Sequence, residues 1–84
     1  MYTPIFCKVN INFNGNIDAI KEFVNRTTVF SDIMLWSDDG RFRVDAHSLM
    51  GIFSLDTSKE LKLIYPETEK EEIINTFKEW IVCK

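Results

Sequence analysis

The chain contains one histidine, His47, which stands directly before Ser48 and two positions after Asp45, in the stretch VDAHSLMGIFSL over residues 44–55. A hydroxyl nucleophile, an imidazole base and a carboxylate are the three groups of acyl-transfer catalysis. Neighbouring residues of an extended segment, however, point to opposite sides of the backbone, so His47 and Ser48 are not expected to face each other. No catalytic triad and no enzymatic activity follow. Ser48 precedes a short apolar run, where a serine accepts a hydrogen bond from the unpartnered N–H groups of a helical first turn. It is expected to cap a short helix over LMGIFSL that ends near Asp56. Gly51 makes that helix intrinsically weak, so packing must hold it. His47 is then an exposed or hydrogen-bonded side chain.

Other residues with chemical potential are sparse. Cys7 and Cys83 lie far apart with no CxxC or Cys/His spacing, so they read as incidental or buried thiols. Asp32, Asp38 and Asp39 offer fewer oxygens than a calcium loop needs and read as a solvated turn. No metal and no cofactor is expected.

Ten basic against thirteen acidic residues give a net charge of −3, and the basic ones are scattered, which disfavours nucleic acid as a direct partner. No apolar run approaches the roughly 20 residues of a membrane span. The opening MYTPIFCKVN lacks the basic and apolar regions of a signal peptide. A cytoplasmic protein with no membrane contact is expected. Its 84 residues suffice for one domain over 1–84 and not for a second core.

Alternation of Ile5, Cys7, Val9, Ile11 and Phe13 predicts a strand with one buried face. Asn14-Gly15-Asn16 then makes a tight turn. Ile17, Ile20, Phe23, Val24 and Thr27 follow at helical spacing, predicting a helix over about residues 16–28 with a cap at its start. The runs DIMLWS (32–37) and RFRVDA (41–46) flank Asp38-Asp39-Gly40 and predict a tight antiparallel hairpin, with Ile33, Leu35, Phe42 and Val44 facing inward. Leu61, Leu63 and Tyr65 alternate in a fourth strand that Pro66 ends. Thr68-Glu69-Lys70-Glu71 fits a capping box. It opens a last helix whose stripe is Ile73, Ile74, Phe77, Trp80 and Ile81. The order βαββαβα predicts an α+β, two-layer open-faced sandwich: a four-stranded antiparallel sheet with three helices on one face and solvent on the other.

This order and the segment Ser48-Leu49-Met50-Gly51-Ile52-Phe53-Ser54-Leu55 resemble the HPr family, the histidine-containing phosphocarriers of the bacterial sugar phosphotransferase system. The family's regulatory motif places a basic residue before Ser-Ile-Met-Gly, two apolar residues and Ser-Leu. Ser31-Asp32-Ile33 is similar to the family's entry into its second strand. The resemblance implies the HPr-like form of the sandwich. It also implies a phosphate-accepting histidine in Gly-x-His-Ala-Arg-Pro where the first helix begins.

Here Gly15 stands where that histidine belongs, Asn16 follows it, and Ile17 occupies the arginine's place. The imidazole nucleophile and the phosphate-holding guanidinium are both missing, and Asp18 adds negative charge. The resemblance therefore implies a degenerate carrier site at Gly15, Asn16 and Ile17, whose backbone N–H groups retain only a weak attraction for anions. The catabolite-repression paralogues of the family also lack this histidine while keeping the serine.

For Ser48 the resemblance implies regulatory phosphorylation by a serine kinase. Phosphate there would gain from the helix N-terminus and bring about −1.5 to −2 charges for a partner's arginines to grip. It implies docking through His47, Leu49, Met50, Gly51 and Phe53 to protein partners: a serine kinase, a catabolite control regulator or phosphotransferase-system components. Two other readings stand beside this one: a phosphocarrier that uses His47, and an accessory interaction domain that is never phosphorylated. Ile52 is expected to pack onto the sheet.

Overall fold

The computed structural model describes residues 5–82; the reading of Cys83 lies outside them. Four strands and three helices follow one another as β1 (Phe6–Ile11), α1 (Ile17–Arg26), β2 (Met34–Trp36), β3 (Arg43–Asp45), α2 (Leu49–Phe53), β4 (Leu61–Pro66) and α3 (Lys70–Phe77). Short 3₁₀ turns extend α1 over Thr27–Val29, precede α3 over Glu67–Glu69 and follow it over Lys78–Trp80. No helix among the described residues is long and apolar enough to cross a membrane.

The strands form one antiparallel sheet in the order β1-β4-β2-β3. β4, last in sequence, lies between β1 and β2, so β1 and β2 run parallel and α1 crosses between them. β3 and β4 likewise run parallel on either side of β2, with α2 as the crossover. Alternation within each strand decides what faces the helices. Ile11, Leu35, Leu61, Leu63 and Tyr65 enter one buried cluster with Ile20 and Phe23 of α1, Ile52 of α2, and Ile73 and Phe77 of α3. All three helices therefore cover the same face of the sheet.

The centre of that core is aromatic. Phe23 meets Phe13, Phe77 and Trp80 at centroid distances of 5.1, 4.8 and 6.0 Å, in the edge and tilted orientations that ring quadrupoles favour. Arg26 closes the rim above it. Its guanidinium sits 4.8 Å from the Trp80 ring centre, donates to the Thr76 carbonyl and pairs with Glu22 and Glu79, tying the end of α1 to α3.

Several boundaries differ from the sequence expectation. The β2–β3 strands are three residues each, and the connection over residues 37–42 is wider than a two-residue hairpin. Gly40 takes a φ of 74°. The Asp39 carboxylate accepts from the Ser37 hydroxyl at 2.7 Å and from the Arg41 N–H at 3.0 Å, which fixes the loop. Phe42 falls in that loop instead of on the ladder and is 62% exposed, whereas Ile33 and Leu35 are buried and Val44 is half-buried.

The capping box does not form. α3 begins at Lys70 with Glu69 as its N-cap, and no side chain caps it, because residues 67–69 are spent on a 3₁₀ turn. The final apolar stripe is also divided. Ile81 leaves the helix and bridges to Ile11, with Asn12 donating to the Trp80 carbonyl and Val82 to the Asn10 carbonyl, each at 2.9 Å. This pairing covers the outer edge of β1.

Candidate functional site

Ser48 and His47 occupy the junction where β3 ends and α2 begins. The Ser48 backbone is extended (φ −96°, ψ 105°) and its hydroxyl oxygen accepts from the Gly51 N–H at 3.0 Å, the capping geometry expected for serine. A Cβ on Gly51 would lie 3.1 Å from the Ser48 hydroxyl and 3.3 Å from the Val44 Cβ. A side chain at Gly51 would crowd both the cap and β3, which gives this helix-weakening residue a steric reason for its place. Ile52 is fully buried and anchors the short helix.

The cap predicts a measurable cost. Ser48→Ala is expected to lose about 1 kcal/mol of unfolding free energy, and Ser48→Asp to stay within a few tenths of the parent, because aspartate caps equally well. Urea denaturation of the three proteins checks this, and an alanine variant as stable as the parent would contradict it.

His47 is held on every side. Its Nδ1 lies 2.6 Å from Asp45 Oδ1, while Nε2 lies 3.1 Å from the Thr27 carbonyl and 2.5 Å from the Phe30 carbonyl. All three partners are acceptors, so the ring satisfies them only by donating from both nitrogens, as an imidazolium. Hydrogen bonding to Asp45, followed by the Phe30 carbonyl, raises the His47 pKa above 6.5. Asp45 is lowered below 3.8, chiefly by the His47 backbone N–H and then by the imidazole. The two carbonyls lie at and just beyond the C-terminal end of α1, where backbone partial charges favour a cation.

The imidazole and the Ser48 hydroxyl are thus committed to different partners, and the structure places no hydrogen bond between them. His47 cannot serve Ser48 as a base in this arrangement. Nor does either ring nitrogen present a lone pair for phosphoryl transfer, since accepting phosphate would require rupture of its present bonds.

Around Ser48 the α2 surface is apolar. Met50 is 79% and Phe53 38% exposed, while Leu49 and Gly51 are half-buried. Leu49 packs partly against the core, so the outward-facing part of the predicted patch is Met50 and Phe53.

Gly15, Asn16 and Ile17 lie at the start of α1. Asn14 and Gly15 both have positive φ, 53° and 68°, and the Asn16 N–H donates to the Phe13 carbonyl at 2.9 Å to close the turn. Asn-Gly tolerates these angles, but the turn here joins a strand to a helix. The Asn16 side chain accepts from the Ala19 N–H at 3.1 Å as the N-cap, and Ile17 is 57% exposed. The three residues supply backbone N–H groups and no nucleophile.

The two candidate sites are far apart in the helical layer. The Gly15 N–H donates to the Thr57 carbonyl, beyond the end of α2, whereas His47, at the beginning of α2, bonds the carbonyls at the end of α1. These contacts set α1 and α2 in opposite senses, and Ser48 and the Gly15 turn sit at opposite poles. The Thr27 and Phe30 carbonyls that hold His47 are not legible in the sequence, since backbone acceptors leave no residue-type signal. Among the described residues, no group of three or more His, Cys, Asp or Glu side chains could hold a metal ion. No protein-family model, no curated protein and no solved structure matches the chain.

Proposed function

We propose that the protein is an HPr-like regulatory binding module that has lost the phosphohistidine carrier site and is switched by phosphorylation of Ser48. The observation that carries this reading is the environment of Ser48: an exposed serine at a helix N-cap, flanked by exposed Met50 and Phe53. Phosphate on that hydroxyl would meet the N–H groups of the first α2 turn. It would present a dianion beside an apolar collar, a combination suited to a protein partner with arginines bordering a hydrophobic pocket.

Two further features support the reading. The βαββαβα order on an open-faced sheet is compatible with the architecture that the family resemblance implies. On this reading, the turn at Gly15, Asn16 and Ile17 stands for the family's carrier site without its chemical groups. Localisation in the bacterial cytoplasm and a role in carbon catabolite regulation follow from the same reading. The candidate partners are a serine kinase, a catabolite control regulator and phosphotransferase-system components.

Treatment with ATP and an HPr-type serine kinase tests it: one phosphate on Ser48, absent in Ser48→Ala, is the expected mass-spectrometric result. An unmodified Ser48 would favour the accessory interaction domain. Incubation with phosphoenolpyruvate and enzyme I should leave no acid-labile phosphate, and its appearance on His47 would overturn the proposal in favour of a carrier.

A further inference from the structure

The face of the sheet turned away from the helices is not uniformly polar. Ile64 is only 7% exposed although it lies outside the core cluster. With Phe6, Met34 and Trp36 it lines an open groove of about 450 Å³ bordered by Asp32 and Asp45.

The strand register arranges this face in ranks. Lys8, Ile64, Met34 and Asp45 lie abreast across β1, β4, β2 and β3, and the next rank is Asn10, Lys62, Trp36 and Arg43. The apolar side chains Ile64, Met34 and Trp36 stand in the middle strands. At β3 the charges are opposite in sign between ranks, Asp45 in the first and Arg43 in the second. A two-fold axis running across the strands between the ranks would therefore exchange complementary groups. Met34 of each copy would meet Trp36 of the other, Arg43 would meet Asp45, and the aliphatic stem of Lys62 would cover Ile64.

An axis along the strands serves less well. It would set Ile64 against Met34 and Lys8 against Asp45, but it would also bring Lys62 of one copy onto the Trp36 ring of the other, where Arg43 already lies 4.0 Å from the ring's centre within each chain. Asp45 remains available for a second cation, because both of its bonds to His47 fall on Oδ1.

We infer that the open face is the contact of a two-fold homodimer, with Met34 packed on Trp36 and Arg43 paired with Asp45 between the two copies. β1 and β4, each ~20 Å long, and β2 and β3, each ~10 Å long, present about 290 Å² of face per copy at a spacing of ~4.8 Å. That is roughly a third of the area per partner of a standard stable interface. The dimer is accordingly weak and concentration-dependent, with association at hundreds of micromolar or above.

Sedimentation equilibrium of the full chain over increasing concentration tests it, with an expected rise from the mass of one chain towards two. Arg43→Asp and Asp45→Lys should each weaken association at least tenfold, whereas an equimolar mixture of the two variants should restore it as a heterodimer. Met34→Glu, at a surface position that makes no core contact, should also be monomeric while keeping the parent's far-ultraviolet circular dichroism. A single-chain mass for the parent at every concentration, a dimer indifferent to Arg43→Asp or Met34→Glu, or folded charge-reversal variants that fail to recombine would each overturn the inference.

Discussion

Phe23→Ala is expected to lose about 3–5 kcal/mol of unfolding free energy, the usual cost of emptying a buried aromatic site. Phe23 is fully buried and touches Phe13, Phe77 and Trp80, so its removal takes away both burial and ring–ring contacts. Neighbours cannot easily close the space: Phe13 is held by the Asn-Gly turn, Phe77 by α3, and Trp80 by the bridge from Ile81 to β1. A domain of this length has a total stability on the order of 5–10 kcal/mol. The variant should therefore unfold at markedly lower urea concentration, with a transition well below the parent's in a thermal melt. A loss below about 1 kcal/mol would show that the aromatic cluster is not the centre of cohesion.

The second large effect concerns pH. His47 gains acceptors on folding and its pKa is raised, so its contribution is fully present below the unfolded value of 6.5 and disappears as pH rises through the folded pKa. Asp45 is shifted downward, and its contribution is present above 3.8 and disappears as pH falls through the folded value. The pair therefore stabilises the protein most between about pH 4 and 6.5. In that interval His47→Ala should cost about 1–2 kcal/mol, from loss of charge-assisted bonds that are partly solvent-screened. Above the folded pKa the difference from the parent should shrink. Urea titrations of both proteins across this range measure it, and a pH-independent difference would rule out the imidazolium as the stabilising form.

Much of the fold was legible in the sequence because strand and helix periodicities differ. Ile33 and Leu35, Leu61 and Leu63, and Ile73 and Phe77 all repeat at the spacing of the elements that bury them. The errors fall where several local choices are open to the same residues. Phe42 has the parity of an inward residue but lies in a loop whose width is set by Ser37 and Asp39. Thr68 has a capping spacing, yet the chain leaving β4 uses that residue in a 3₁₀ turn. The site was legible to the same extent: the Ser48 cap depends on residues within three positions of it, whereas His47 and Arg26 take partners 17 to 53 residues away.

The place of β4 also bears on how the chain acquires its structure. Until residues 61–66 are available, β1 has no neighbour in the sheet and the β2–β3 pair has no bridge to it. The late strand must enter between segments already made, so the contacts that close the core join positions some 25 to 60 residues apart. Such distant closure makes folding slow relative to helical chains of the same size. A nascent fragment ending before residue 61 holds both candidate sites and yet lacks the central strand on which their helices rest. The chain's ability to present Ser48 on its packed helix is therefore acquired only once residues 61–66 have joined the sheet.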